Sequence, residues 1–138
     1  MKEIVLSKLY IVRGIPGSGK STYAKSLGVA HFEADMYFMH NGEYKFNRDK
    51  LGAAHEWCQT LVRTMLSVGA DVVVSNTFTT LKEMQPYLDM AETFGAEVEV
   101  IEVKTQYGSI HNVPEETLEK MKARWQDTPS HLSVKVIS

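Results

Sequence analysis

Gly14-Ile15-Pro16-Gly17-Ser18-Gly19-Lys20-Ser21 is the stretch on which the reading of this sequence turns. The residues just before it, Leu9-Tyr10-Ile11-Val12, form a short apolar and partly β-branched run that predicts a buried parallel strand. A helix is predicted to start near Lys20. In that strand-to-helix setting, G-x-x-x-x-G-K-S is a phosphate-binding loop. Its glycines let successive N–H groups turn inward as a nest for phosphate oxygens, and the following helix adds its positive end. Ile15, Pro16, Gly17, Ser18, Gly19, Lys20, Ser21 and Thr22 are therefore the expected nucleotide contacts. Lys20 should reach the terminal phosphates, and the Ser21 hydroxyl should ligate a magnesium ion bridging them. ATP and Mg2+ are the expected ligands. The alternative, a turn that merely joins strand to helix, does not account for the full pattern. Signalling switches, motors and inactive binders share such loops, so the loop alone does not establish catalysis.

Outward from the loop, strand and helix patterns alternate. His31 to Ala34 suggests a short second strand, followed by a loop at Asp35 and the turn-like Asn41-Gly42. Leu51, Ala54, Cys58, Leu61, Val62 and Met65 recur at helical spacing, with Asn47 as N-cap and Gly69 as stop. Val72-Val73-Val74 reads as a buried strand, and Thr80 with Glu83 makes a capping box ahead of Leu81, Met84, Leu88 and Ala91. Gly95 should close that helix. Val98, Val100 and Val103 mark another strand, Pro114 can open a helix carrying Leu118, Met121 and Trp125, and Leu132 to Ile137 suggests a last strand. The alternation predicts an α/β fold with an open parallel sheet covered on both faces and a ligand beyond the strands' carboxyl ends.

The length of 138 residues suits one domain, residues 1–138, and the composition, 43% hydrophobic and 23% charged, resembles an ordinary globular protein. A net charge of -2 argues against nucleic-acid binding by a blanket of positive charge, while leaving room for a local basic patch. Cys58 is the only cysteine, so no internal disulfide is possible. No stretch approaches the roughly 20 apolar residues of a membrane span, and the expected location is cytoplasmic.

At Phe32-Glu33-Ala34-Asp35-Met36-Tyr37-Phe38 the sequence resembles small P-loop kinases of the 5′-polynucleotide kinase branch, of the phage type and of kinase domains fused to Smr nucleases. Residues 44–57, 72–78, 83–88 and 111–125 share the resemblance, which covers nearly the whole chain. It implies a P-loop NTPase-type three-layer sandwich, with a five-stranded parallel sheet and a short lid over residues 106–125. It also implies that Asp35 binds the acceptor hydroxyl as general base, while a lid arginine, best matched by Arg124, stabilises the transferring group. A site of this kind mainly positions groups and offsets charge, so one carboxylate aimed at the acceptor suits it. Lys20, Asp35 and Arg124 are the catalytic candidates, and Ser21 is the candidate metal ligand.

Blander alternatives stand beside these roles. A lone aspartate in a loop often caps its own turn, and Arg124 shares a helix with Lys120 and Lys122, as in a solvated charged face. Ser75 and Asn76 end the Val72 strand where many P-loop proteins carry a magnesium-holding aspartate; they can orient a metal-bound water or an acceptor, or simply form a strand-end turn. The lid segment Tyr107-Gly108-Ser109-Ile110-His111 lacks the arginine that relatives often carry, and His111 can contact phosphate or be structural.

Lys45, Arg48 and Lys50 can neutralise phosphates of a nucleic-acid end, and Tyr37, Phe38, Tyr44 and Phe46 can stack on bases or pack the loop onto the next helix. The expected activity is transfer of the γ-phosphate of ATP to a hydroxyl, with the 5′ end of RNA or DNA as one acceptor and a nucleoside or other small molecule as the alternative. A nucleotide-dependent binding module and a plain ATPase are the competing functions.

Overall fold

The computed structural model describes residues 7–104 and 113–138. Its centre is a five-stranded parallel sheet in the order β2-β5-β1-β6-β7. The strands are β1 (Lys8–Arg13), β2 (Ala30–Phe32), β5 (Val72–Asn76), β6 (Glu97–Val103) and β7 (Ser133–Ile137), and every pairing among them is parallel. Helices α1 (Lys20–Ser26), α2 (Leu51–Ser67), α3 (Leu81–Phe94) and α4 (Glu115–Arg124) fall between them. A small antiparallel hairpin, β3 (Met39–His40) and β4 (Glu43–Tyr44), stands apart from the sheet, with its turn at Asn41-Gly42.

Alternate residues of each strand point to opposite faces, and both faces are buried at the centre of the sheet. Leu9, Ile11, Val72, Val74 and Val100 pack with Ala54, Cys58, Val62 and Leu66 of α2 and with Met84, Tyr87, Met90 and Ala91 of α3. Val12, Val73, Ile101 and Val103 pack on the other face with Ala24 of α1. This explains why β1 and β5 read as unbroken apolar runs.

The predicted boundaries follow local chemistry. Thr80 and Glu83 form the reciprocal capping box, and Gly95 ends α3 in the left-handed region at φ 66°. Asn47 caps a 3-10 turn (Arg48–Lys50) by accepting from Asp49 N, and that turn leads into α2. The sheet order puts the carboxyl ends of β2, β5 and β1 side by side. The phosphate loop, Glu33 and Ser75 meet there.

Candidate active site

The loop after β1 has the backbone its function needs. Gly17 and Gly19 lie at φ 84° and 88°, in the left-handed region that glycine enters without steric cost, and Gly19 is the N-cap of α1. Gly14 is required for a different reason. A Cβ there would run into Ser18 Oγ and lie 2.8 Å from the Val103 carbonyl, so the loop closes against β6 only without a side chain. Lys20 opens α1. Burial pulls its ammonium below the ordinary value of 10.5, while Glu33 and Asp35 pull the other way.

Two carboxylates follow the end of β2, and one of them, Glu33, reaches this loop. Glu33 follows the strand, and Oε2 accepts from Ser21 Oγ at 2.6 Å and from Ser75 Oγ at 2.7 Å. The single proton of Ser75 is thereby committed, so His31 Nε2, 2.9 Å from Ser75 Oγ, donates. Burial lowers the His31 pKa from 6.5, Glu33 opposes that shift and Lys25 adds to it, consistent with a neutral ring. Asp35 lies on the 3-10 turn Ala34–Phe38, exposed, and Oδ1 accepts from the Tyr44 hydroxyl at 3.1 Å. Burial first, then the charge and hydrogen bond of Asp35, push the Tyr44 phenol up to about 12, so it stays protonated.

Ser75 and Asn76 hold the segment that carries both acids. Ser75 binds Glu33, and Asn76 Oδ1 accepts from Ala34 N at 2.9 Å. Serine and carboxylate oxygens are the donor set a hard divalent cation prefers, and Ser21 with Glu33 fits magnesium. Among the described residues no group of three His, Cys, Asp or Glu gathers as a metal site.

The aromatic residues near Asp35 divide into two sets. Phe38 is buried, and Tyr37 meets Trp57 of α2 edge-on with centroids 5.9 Å apart, so these two pack the turn onto α2. Tyr44 and Phe46 remain 39% and 52% exposed, with ring planes within 17° and centroids 6.5 Å apart. A cavity of about 400 Å³ beside them is lined by Tyr37, Phe38, His40, Lys45, Asn47 and Lys50.

Arg124 ends α4 and its Nε donates to Thr79 Oγ1 at 3.1 Å, on the loop after β5. Its contact is thus with the loop that leads into α3. Residues 106–112 of the lid, His111 included, lie outside the described residues. The base of α4 is fixed by Arg13, fully buried at the end of β1. Its guanidinium donates to the carbonyls of Phe78 and Gln126 and to Thr128 Oγ1, and lies over the Trp125 ring at 3.9 Å.

Residues 9–111 match the family described as AAA domain. The chain belongs to that family. This AAA domain is 31% identical over 134 residues to NEDD4-binding protein 2 of Homo sapiens, a match that covers 86% of this chain and 8% of that protein. The chain thus spans under a tenth of that relative's length. Its fold is that of P-loop kinases: an unliganded sugar kinase from Janibacter sp. HTCC2649 superposes with a TM-score of 0.67 at 14% identity, covering 95% of this chain and 84% of that one. A chain of the Pnkp1/Rnl/Hen1 complex superposes with a TM-score of 0.61 at 21% identity, covering 86% and 40%. At these identities the likeness shows the fold alone.

In this AAA domain two residues matter that the sequence reading passed over. Arg13 stands just beyond the apolar run Leu9–Val12, and no sequence signal marks its partners. Glu33 did leave a signal, a second carboxylate two residues before Asp35 at the end of a strand.

Proposed function

We propose that this protein transfers the γ-phosphate of ATP to a hydroxyl acceptor, with Asp35 as general base and the 5′-hydroxyl end of a polynucleotide as acceptor. The observation that carries this reading is the hydrogen bond from the Tyr44 hydroxyl to Asp35. Asp35 already accepts from a hydroxyl at the carboxyl edge of the sheet, on the turn adjoining the segment that faces the phosphate loop. An acceptor replacing Tyr44 meets the same oxygen, and hydrogen-bond reach is what a base needs. The loop amides and Lys20 hold the phosphates, and Ser21 holds magnesium, which when bound offsets the charge of the transferring group. Arg124, once released from Thr79, adds a cation from the lid side.

The acceptor wall supports a polynucleotide. Tyr44 and Phe46 offer exposed, nearly parallel rings to a base, and Lys45 and Lys50 flank the cavity where following phosphates would run. The likeness in fold to a chain of the Pnkp1/Rnl/Hen1 complex supports this reading, and no helix among the described residues is long and apolar enough to cross a membrane.

The test is transfer of label from γ-labelled ATP, with magnesium, to 5′-hydroxyl oligonucleotides, nucleosides, sugars and water. Oligonucleotides should be labelled fastest, and Asp35→Asn should lower kcat by about 10²- to 10⁴-fold. Faster labelling of a nucleoside or sugar would overturn the choice of acceptor. Tight ATP binding with no transfer to any acceptor would overturn the kinase reading in favour of a binding module.

A further inference from the structure

The carboxylate that P-loop proteins commonly place at the end of the strand beside β1 is absent here, since β5 ends in Ser75-Asn76. Yet the hydroxyl of Ser21 is not without an acidic partner. Its Oγ donates to Glu33 Oε2 at 2.6 Å, and Ser75 reaches the same oxygen from β5 at 2.7 Å. A serine hydroxyl has one proton and two lone pairs. When Glu33 takes the proton, both lone pairs of Ser21 turn away from the carboxylate and are available to a cation. Ser75, with its own proton committed to Glu33 and His31 behind it at 2.9 Å, holds the carboxylate in this orientation.

We infer that Glu33 is the positioning residue of the magnesium site: coming from β2 rather than β5, it orients the Ser21 hydroxyl and supplies the negative charge that the Ser75-Asn76 strand end lacks. The inference rests on the nucleotide-binding part of the reading above and not on the choice of acceptor. It gives Ser75 a definite task, to anchor Glu33, and makes the pair Glu33 and Asp35 a division of labour. Glu33 faces the loop hydroxyl, while Asp35 two residues later faces the Tyr44 hydroxyl at the acceptor side.

The experiment is equilibrium binding of a non-hydrolysable ATP analogue by calorimetry, once with magnesium and once with EDTA, for the wild type, Glu33→Gln and Ser75→Ala. In the wild type, magnesium should tighten binding. Glu33→Gln should lose that gain, about tenfold or more, because a charge-assisted hydrogen bond and a nearby negative charge are both removed. Its affinity in EDTA should stay the same or improve, since a carboxylate that repels phosphate has gone. Ser75→Ala keeps the charge and should reduce the gain by a few-fold, about the value of one hydrogen bond. A purely structural Glu33 would weaken both arms equally, and that result overturns the inference. So does an undiminished magnesium gain in Glu33→Gln or, should that variant not fold, in Ser75→Ala. A wild type that binds nucleotide without any magnesium gain overturns this inference alone, whereas one that binds no nucleotide overturns the kinase reading as well.

Discussion

Replacing Arg13 by methionine should cost this fold roughly 3–5 kcal/mol, the usual result of stripping one partner from a buried ion pair. The side chain is fully buried and its five donors are nearly all used: Nε and Nη2 to the Phe78 carbonyl at 3.0 and 2.7 Å, Nη2 to the Gln126 carbonyl at 2.6 Å, and Nη1 to Thr128 Oγ1 at 2.8 Å. Nη1 also lies 3.6 Å from Glu102 Oε1, and Glu102 is itself 5% exposed. A hydrogen bond to a charged group contributes about 1.5–3 kcal/mol, but bonds sharing one side chain do not add, so the whole cluster sits near the buried-pair figure. Against a total of about 5–15 kcal/mol that is a large fraction, equivalent to a drop of roughly 10–20 °C in Tm for a chain of this size.

Urea unfolding followed by circular dichroism measures the loss, with an unchanged m-value showing that the two states are otherwise the same. Two further variants separate the causes. Arg13→Lys keeps the charge and loses the planar fork, and should cost less than methionine but still about 1.5–3 kcal/mol. Arg13→Met combined with Glu102→Gln should recover part of the loss, because the uncompensated carboxylate is gone. A single-variant loss under about 1 kcal/mol, the value of an exposed ion pair, would refute the reasoning. The functional corollary concerns α4. Trp125, Gln126 and Thr128 are held to β1 and to the loop after β5 through Arg13, so trypsin should cut after Lys122 and Arg124 faster in Arg13→Met.

Two other outcomes follow from the phosphate loop. Lys20→Met should weaken ATP binding by about 10- to 100-fold through loss of charged hydrogen bonds, yet raise the Tm of the unliganded protein, because burial disfavours the ammonium. A lysine whose folded pKa lies below 10.5 destabilises the fold at all pH values below that folded pKa, and the penalty fades as pH rises through it toward 10.5. The stability advantage of Lys20→Met should therefore be full at neutral pH and shrink in alkali; an advantage that grows with pH would contradict the assignment. Gly14→Ala should lose nucleotide binding and about 1–3 kcal/mol of stability, read by calorimetry and thermal melting, since its methyl has no room against Ser18 and the Val103 carbonyl.

Much of the fold was legible because it is encoded locally. A strand running into G-x-x-x-x-G-K-S, a capping box at Thr80 and Glu83 and a closing glycine at Gly95 each depend on neighbours within a few residues. The placement of Lys20 and Ser21 at the start of α1 was legible for the same reason. Strand alternation foretold a parallel sheet, and the resemblance to small kinases foretold its five strands. Stacking on bases and packing onto the next helix were alternatives for all four aromatic residues near Asp35, and packing separates them: Tyr37 meets Trp57 of α2 and Phe38 is buried, while Tyr44 and Phe46 remain exposed.

The sequence alone thus determined the alternation of sheet strands and helices, the capping box of α3 and the backbone of the loop after β1, since backbone conformation answers to residues close along the chain; the β3–β4 hairpin and the 3-10 turn that separates Asn47 from α2 were not foretold. Only the tertiary structure decided which strand ends become neighbours. Placing β5 between β1 and β2 brings Ser75 to Glu33 across 42 residues, and Glu33 to Ser21 across 12. The same packing joins Arg13 to Thr128 across 115 residues. Such contacts form because buried polar groups must find partners wherever the chain brings them, and no local pattern announces which partner that will be. The carboxylate missing from the end of β5 was visible in the sequence; that Glu33 reaches Ser21 from β2 in its place was not.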